Sequence, residues 1–491
     1  MYHERLPHPV YCNDCWFSDK WDPFAYEKEY DFNRSFFDQI GELLHTVPQA
    51  ATYASMAMGP NINSEFTNFA GANKDAYLCF NSGPRNENIG YSRGLMDCRD
   101  AYDVYYCNSI ERVYDAINAQ KCNGLRFAHN VTDCLDSWFL TNCANCTNCF
   151  GCVNVRNGQY QFFNEQLTKE EYTARVDEII GSYSKLEDAR KKFEAHKLQF
   201  PRREHQNLKA VNSSGNYLTE TKDCHHCFEV ADAENVSYAF SSKGGVKDSM
   251  DILGHGRKVE LMYNAVGAGL GQRIIATWWA ENSSNIEYSF AVRSAVTDCI
   301  GCVGIKNGKF VILNKRYEEA EYHKIREHIV NELKSTGSYG EFLPPEYSFF
   351  AYNETVGQDN MPLTKEQAVV EGFKWEDNLP ETKGQETMKP DQIPDNIVDV
   401  SDSILKETLA CIDCGRNYRI ILAELAFYRD LSLPVPRQAW QCRFTDRIKR
   451  RGPMKIYDRT CGNCNKPIKT TYSPESPDMV WCESCYAQAY A

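Results

Sequence analysis

From Ile89 to Val155 every third residue is uncharged, and most are small: Ile89, Ser92, Leu95, Cys98, Ala101, Val104 and Cys107, continuing through Cys122 and Cys134 to Cys143, Cys146, Cys149 and Cys152. The residue before each is often Asn, Asp or Gly, as at Asp97, Asp100, Asp103, Asn130, Asp133, Asn142, Asn145 and Asn148. An α-helix turns every ~3.6 residues and loses phase with such a repeat within about five turns. A strand alternates with a period of about two, so one long strand fails as well. What remains is a chain that coils, each coil a multiple of three residues long, with an inward side chain at every third position. Asn, Asp and Gly tolerate the left-handed backbone that corners need. This predicts a β-solenoid, in which each coil buries its face only against its neighbours.

The pattern occurs twice. Cys149-Phe-Gly-Cys-Val-Asn-Val-Arg-Asn-Gly-Gln-Tyr returns 150 residues later as Cys299-Ile-Gly-Cys-Val-Gly-Ile-Lys-Asn-Gly-Lys-Phe. The series resumes from Val259 to Ala295, slips by one residue, and continues at Val296, Cys299, Cys302 and Ile305. A helical segment follows each copy, the first opened by the capping box Thr168-x-x-Glu171. Such segments suit the ends of a stack, where open coils expose backbone groups. The expected class is therefore mainly β: two β-solenoid (parallel β-helix-like) modules, each followed by helix, with zinc ribbons at the termini. The expected divisions are 1–75 for an N-terminal knuckle and irregular lead-in, 76–200 and 201–340 for the two solenoids with their caps, 341–400 for a linker region and 401–491 for a zinc-ribbon region. Asp31–Leu44 reads as a short amphipathic helix.

Twenty-two cysteines in 491 residues would suggest disulfides in a secreted chain. Met-Tyr-His-Glu-Arg lacks an apolar signal-peptide core, and no apolar run reaches the ~18 residues of a membrane span. The expectation is a cytoplasmic protein, or a virion protein if phage-encoded, with no membrane partner. The eight cysteines of the first series are expected to be small core residues. The Cys143, Cys146, Cys149, Cys152 run also fits cluster chemistry by spacing, but it continues a phase begun by Ile, Val, Ala and Leu, and the second copy replaces most of the thiols.

Cys461-x-x-Cys464 and Cys482-x-x-Cys485 stand seventeen residues apart. Two such knuckles place four thiolates in the tetrahedral arrangement that Zn²⁺ prefers, closed to water and hence structural. Cys411-x-x-Cys414 is a second first-half knuckle, but only Cys442 answers it, with Ala439 where a fourth cysteine is wanted. Cys12 and Cys15, in Val10-Tyr-Cys-Asn-Asp-Cys-Trp16, resemble Val480-Trp-Cys-Glu-Ser-Cys-Tyr486, the second half of a ribbon whose first half would precede Met1. Their further ligands would be His3 or His8, or Cys411 and Cys414. Between the two C-terminal ribbons, Arg443, Arg447, Lys449, Arg450, Arg451 and Lys455 form a basic segment inside a chain of net charge −13. It reads as a contact for an acidic protein surface or for nucleic acid.

The Val-Tyr-Cys-x-x-Cys-Trp-x-Ser-Asp-Lys-Trp-Asp-Pro stretch from Val10, the Asn-Cys-x-x-Cys-Phe-Gly-Cys-Val-Asn run and the terminal ribbons resemble a group of Cys-rich repeat and zinc-ribbon proteins of candidate-phyla bacteria and tailed phages, often labelled CaiB/BaiF. The resemblance covers most of the chain and implies zinc ribbons and a Cys-rich repeat, with no activity attached. The chain departs from it at Ala439 and in the N-terminal half-ribbon. Nothing in the residues supports CoA transfer.

No nucleophile–base pair stands out. Gly267-Ala-Gly-Leu-Gly271 falls on or beside the three-residue series and does not open a helix as a dinucleotide loop must. Asp97, Asp100, Asp103, Asp133 and Asp136 could serve a polysaccharide-acting enzyme on a β-helix, but their regular placement fits corners. His225 and His226, between Cys224 and Cys227, read as part of a packed coil, with a metal cluster as the alternative. The favoured reading is a non-enzymatic structural or interaction protein, with a protein partner or a homo-oligomer. Tyr102, Tyr105, Tyr106, Tyr114, Trp138, Trp278 and Trp279 are its candidate aromatic binding surface.

Overall fold

The computed structural model describes residues 8–53 and 59–490, except for the side chain of His255. The chain is mainly β, and its body is two β-solenoid stacks. Strand pairing within each is parallel and advances by about one coil of twelve residues: Ala101 pairs with Val113, Tyr102 with Tyr114 and Val104 with Ala116. Left-handed residues recur every third position, as at Asp97, Asp100, Asp103, Tyr106 and Ser109. A coil is thus four-sided, with three residues to a side. The inward series is buried except for half-buried Val155 and exposed Ala295, with Cys98 at 1%, Cys107 at 1%, Cys122 at 3% and Cys134 at 0% exposure. The slip expected at Ala295 is a bulge. Glu281 pairs with Arg293 but Ser283 with Val296, and Ser294 and Ala295 both take positive φ to absorb the extra residue.

The structure also explains why the interior is rich in cysteine. Each thiol of the first series donates to the carbonyl two residues back, from Cys122 to Gln120 at 3.0 Å up to Cys149 to Thr147 at 3.6 Å. Inward Ser92, Ser137 and Ser289 make the same bond. The heteroatom also accepts the amide N–H of the inward residue one coil later: Cys107 from Ala119, Cys122 from Cys134, Ser92 from Val104 and Ser137 from Cys149. A small side chain that both donates and accepts thus satisfies backbone groups that face the interior. Burial raises the Cys98 thiol to about 11 and the Cys79 thiol to about 12. Cys122→Ser should therefore cost less stability than Cys122→Val, although valine is the better apolar residue. Val strands the Cys134 N–H and removes the second donor from the Gln120 carbonyl, which keeps the Asp133 N–H, a loss of about 1–3 kcal/mol. Denaturant midpoints of the two variants check this; equal or reversed values would refute the account.

Each stack ends in an antiparallel hairpin, Gln159–Phe162 with Glu165–Gln166 and Lys309–Ile312 with Lys315–Arg316. Helices follow: Lys169–Asp177, capped by Thr168 and Glu171 as expected, then Tyr183–Lys197, and after the second stack Glu319–Ser335. The stacks lie side by side and antiparallel, since contacts at rising positions of the first meet falling positions of the second. Asn81 bonds Ser241, Tyr105 bonds Glu229 and His129 meets Tyr217. The chain ends cross over. The N-terminal region, including the helix Phe36–Thr46, packs on the second stack, with Trp16 stacked on Trp279 at 5.9 Å and Phe36 edge-on to Tyr288. Residues 388–451 pack on the first.

Three expectations need correction. The lead-in is not wholly irregular, because Ile62, Glu65 and Asn68 already bridge to Lys74, Tyr77 and Phe80 as part of a coil. The supposed linker is packed in its last part, with Ile393, Ile397 and Val400 buried in the core that holds Phe427 and Tyr428. The aromatics are mostly covered: Tyr102, Tyr105, Tyr114, Trp138 and Trp279 are buried within the chain, while Tyr106 and Trp278 are half-buried. Among the described residues, no helix is long and apolar enough to cross a membrane.

Candidate metal centres

Among the described residues, two groups of cysteines could hold a metal ion: Cys461, Cys464, Cys482 and Cys485, and Cys411, Cys414 and Cys442, with the sulfurs of each group within 4.8 Å of one another. In the first, the hairpin Tyr457–Thr460 with Pro467–Thr470 presents the Cys461–Cys464 knuckle. Cys482 and Cys485 open the helix Glu483–Tyr490 opposite it. Cys464 and Cys482 sulfurs lie 3.8 Å apart. Burial alone would raise the Cys461 thiol, but the amides of Cys482, Cys464 and Asn463 point at its sulfur and pull it down to about 6, favouring the thiolate a metal needs.

The second group repeats this framework bond for bond. Cys411 N–H donates to Arg416 O and Gly415 N–H to Cys411 O, as Cys461 donates to Lys466 and Asn465 to Cys461. Ile412 N–H reaches Arg437 O as Gly462 reaches Val480. Gly415 and Asn465 both take the left-handed conformation that turns each knuckle. Cys442 sits on the first turn of the helix Trp440–Arg451, its sulfur 3.7 Å from Cys411 and 3.4 Å from Cys414. The amide of Ala439 points at the Cys411 sulfur as that of Cys482 points at Cys461. Position 439 is thus the structural counterpart of position 482, without its sulfur.

The other sequence candidates fall elsewhere. Cys12 and Cys15 are exposed and belong to neither group. Cys411 and Cys414 are committed to Cys442, so they do not tie the termini together. His8 packs on Phe349 at 4.4 Å between ring centres and near His45, and joins neither group. His3 lies outside the described residues. Cys143, Cys146, Cys149 and Cys152 fill the four inward positions of one coil, each satisfied as an S–H donor. Cys224 and Cys227 are likewise inward, while His225 and His226 face outward.

The basic segment requires the largest correction. The acidic surface it meets is the chain's own. Asp103, fully buried, lies 2.9 Å from Arg443 and 2.8 Å from Arg447. Glu424 pairs with Arg443 at 3.3 Å and accepts from Tyr91 at 2.9 Å. Asp115 pairs with Arg450 and lies 3.8 Å from Arg447 and from Arg190. Arg451 reaches Glu229 of the second stack at 3.5 Å and the Tyr105 hydroxyl at 3.1 Å. Lys449 and Lys455 remain exposed. The helix therefore clamps the C-terminal lobe to both stacks.

A scan against protein-family models finds no match for this chain, and a search of curated proteins returns none.

Proposed function

We propose that the chain is a non-enzymatic structural and interaction protein. In this reading it is a rigid double solenoid whose C-terminal ribbons hold structural Zn²⁺ and which joins a multi-subunit assembly, such as a virion. The observation that carries the reading is an open strand edge. Among the described residues, Leu208–Val211, the first strand of the second stack, pairs only with Thr219–Lys222, and Leu208 and Val211 are 59% and 61% exposed. An edge strand bearing exposed apolar residues is a template for a strand from another chain. On the first stack, Lys74, Glu87, Arg99 and Glu111 form a charge ladder along one column.

The alternatives lose support. A nucleic-acid contact needs free cations, and Arg443, Arg447 and Arg451 are buried in ion pairs. The carboxylates considered for a polysaccharide-acting enzyme, Asp97, Asp100, Asp103, Asp133 and Asp136, take φ between +42° and +57°, as corners do. Light scattering and native mass spectrometry of the full chain, alone and from native extract, test the proposal. Assembly beyond a monomer is expected, and Val211→Lys should weaken it roughly tenfold or more, ~1.4 kcal/mol. A monomer under all conditions, with no co-purifying partner, would sink it.

A further inference from the structure

The second cysteine group has a framework built for four ligands and a sequence that supplies three. Zinc and its congeners seek four donors, and a site with three protein ligands completes the shell from solution. Among the described residues no carboxylate or imidazole lies close enough to join Cys411, Cys414 and Cys442 as a fourth ligand. The two carboxylates near in sequence are engaged elsewhere, with Gln438 donating to Asp413 at 2.6 Å and to Asp446 at 3.2 Å. Solvent reaches the group, because Cys414 is exposed and Cys442 half-buried.

We propose that Cys411, Cys414 and Cys442 bind a divalent thiophilic ion through three thiolates and leave its fourth position to a small exogenous donor, water or a low-molecular-weight thiol. The two C-terminal sites then differ in kind: the terminal one is closed and inert, and this one is open and exchangeable. The inference rests on the metal-binding reading of the ribbons but adds a property that the reading does not require.

Cobalt(II) is the probe. The full chain, stripped and titrated, should take two equivalents. Adding 2-mercaptoethanol or imidazole should shift the visible bands of one equivalent and leave the other unchanged. A chelator should remove that same ion first. Ala439→Cys should abolish both the shift and the difference in release, and Cys442→Ser should abolish the second equivalent without needing the 439 variant to fold. Two equivalents that both ignore exogenous donors would overturn the open-site inference while leaving the metal reading intact. Binding of one equivalent only would overturn it too, and binding of none would remove the metal reading with it.

Discussion

Removing the proposed zinc should unfold residues 457–490 and leave both solenoids standing. The ribbon has little core of its own: Ile468 and Val480 are its buried apolar residues besides the cysteines, with Tyr472 and Trp481 packed against them. Structural zinc in peptides of this size supplies about 10–16 kcal/mol, so binding and folding are one event. The ribbon is also docked. Val480 and Trp481 pair in parallel with Arg202 and Arg203, Arg202 meets Asp478 at 2.9 Å, and the Tyr486 hydroxyl donates to Asn154 at 2.7 Å. Chelation should therefore raise protease sensitivity and amide exchange from about Tyr457 onward, and Trp481 fluorescence should change. Exchange in the inward series should hold, because those coils are closed by backbone ladders that contain no metal. Elemental analysis returning no zinc from native protein, or a ribbon indifferent to chelators, would contradict this.

What the sequence reveals follows the range over which each feature is determined. The inward series, its slip near Ala295, the Thr168 capping box and the Cys461–Cys464 and Cys482–Cys485 knuckles depend on short-range spacing, and each stands where the periodicity or spacing puts it. The coil length was not legible from the series alone, because a period of three is compatible with three, four or five sides. Had twelve been read, the outward columns would have shown what each face meets. Lys74, Glu87, Arg99 and Glu111 form a solvent column, whereas Tyr102, Tyr114, Arg126, Trp138, Phe150 and half-buried Phe162 form a mostly covered one. The destination of the basic segment depends on pairing across more than 300 residues, for which no local pattern exists. One signal was present. Arg443, Arg447 and Arg451 are spaced by four and share a helix face, and Asp103 and Asp115 are spaced by one coil. A helical turn of ~5.4 Å and a strand spacing of ~4.8 Å are close enough to place the two rows in register.

Asp103→Ala should be among the most damaging single substitutions in the chain, at about 3–5 kcal/mol, because it leaves two buried guanidinium groups facing no carboxylate there. Arg447 is 1% exposed and Arg443 6%, so neither can recover hydration without the lobe moving. Glu424 retains a contact with Arg443, whereas Arg447 keeps only the more distant Asp115 and the Tyr91 carbonyl, at 3.2 Å. The lobe should detach before the solenoid melts, giving early cleavage within residues 388–451. Arg447→Met alone should also destabilise, but the Asp103→Ala, Arg447→Met double variant should cost clearly less than the sum of the two. The same clamp should weaken in acid. Burial works against the Asp115 carboxylate, but Arg450, Arg447 and Arg190 outweigh it and hold the group below the usual carboxylate range. Its contribution is therefore complete above the unfolded value of about 4 and is lost as pH falls through the lower folded value. Glu424 acts in the opposite sense. Burial raises it despite Arg443, so protonation there relieves a cost and offsets part of the loss. Asp115→Asn should thus flatten the acid limb of the stability curve, and Glu424→Gln should steepen it. Strict additivity of the Asp103 and Arg447 variants, or an acid limb unchanged in both carboxylate variants, would show that the clamp does not hold the lobe.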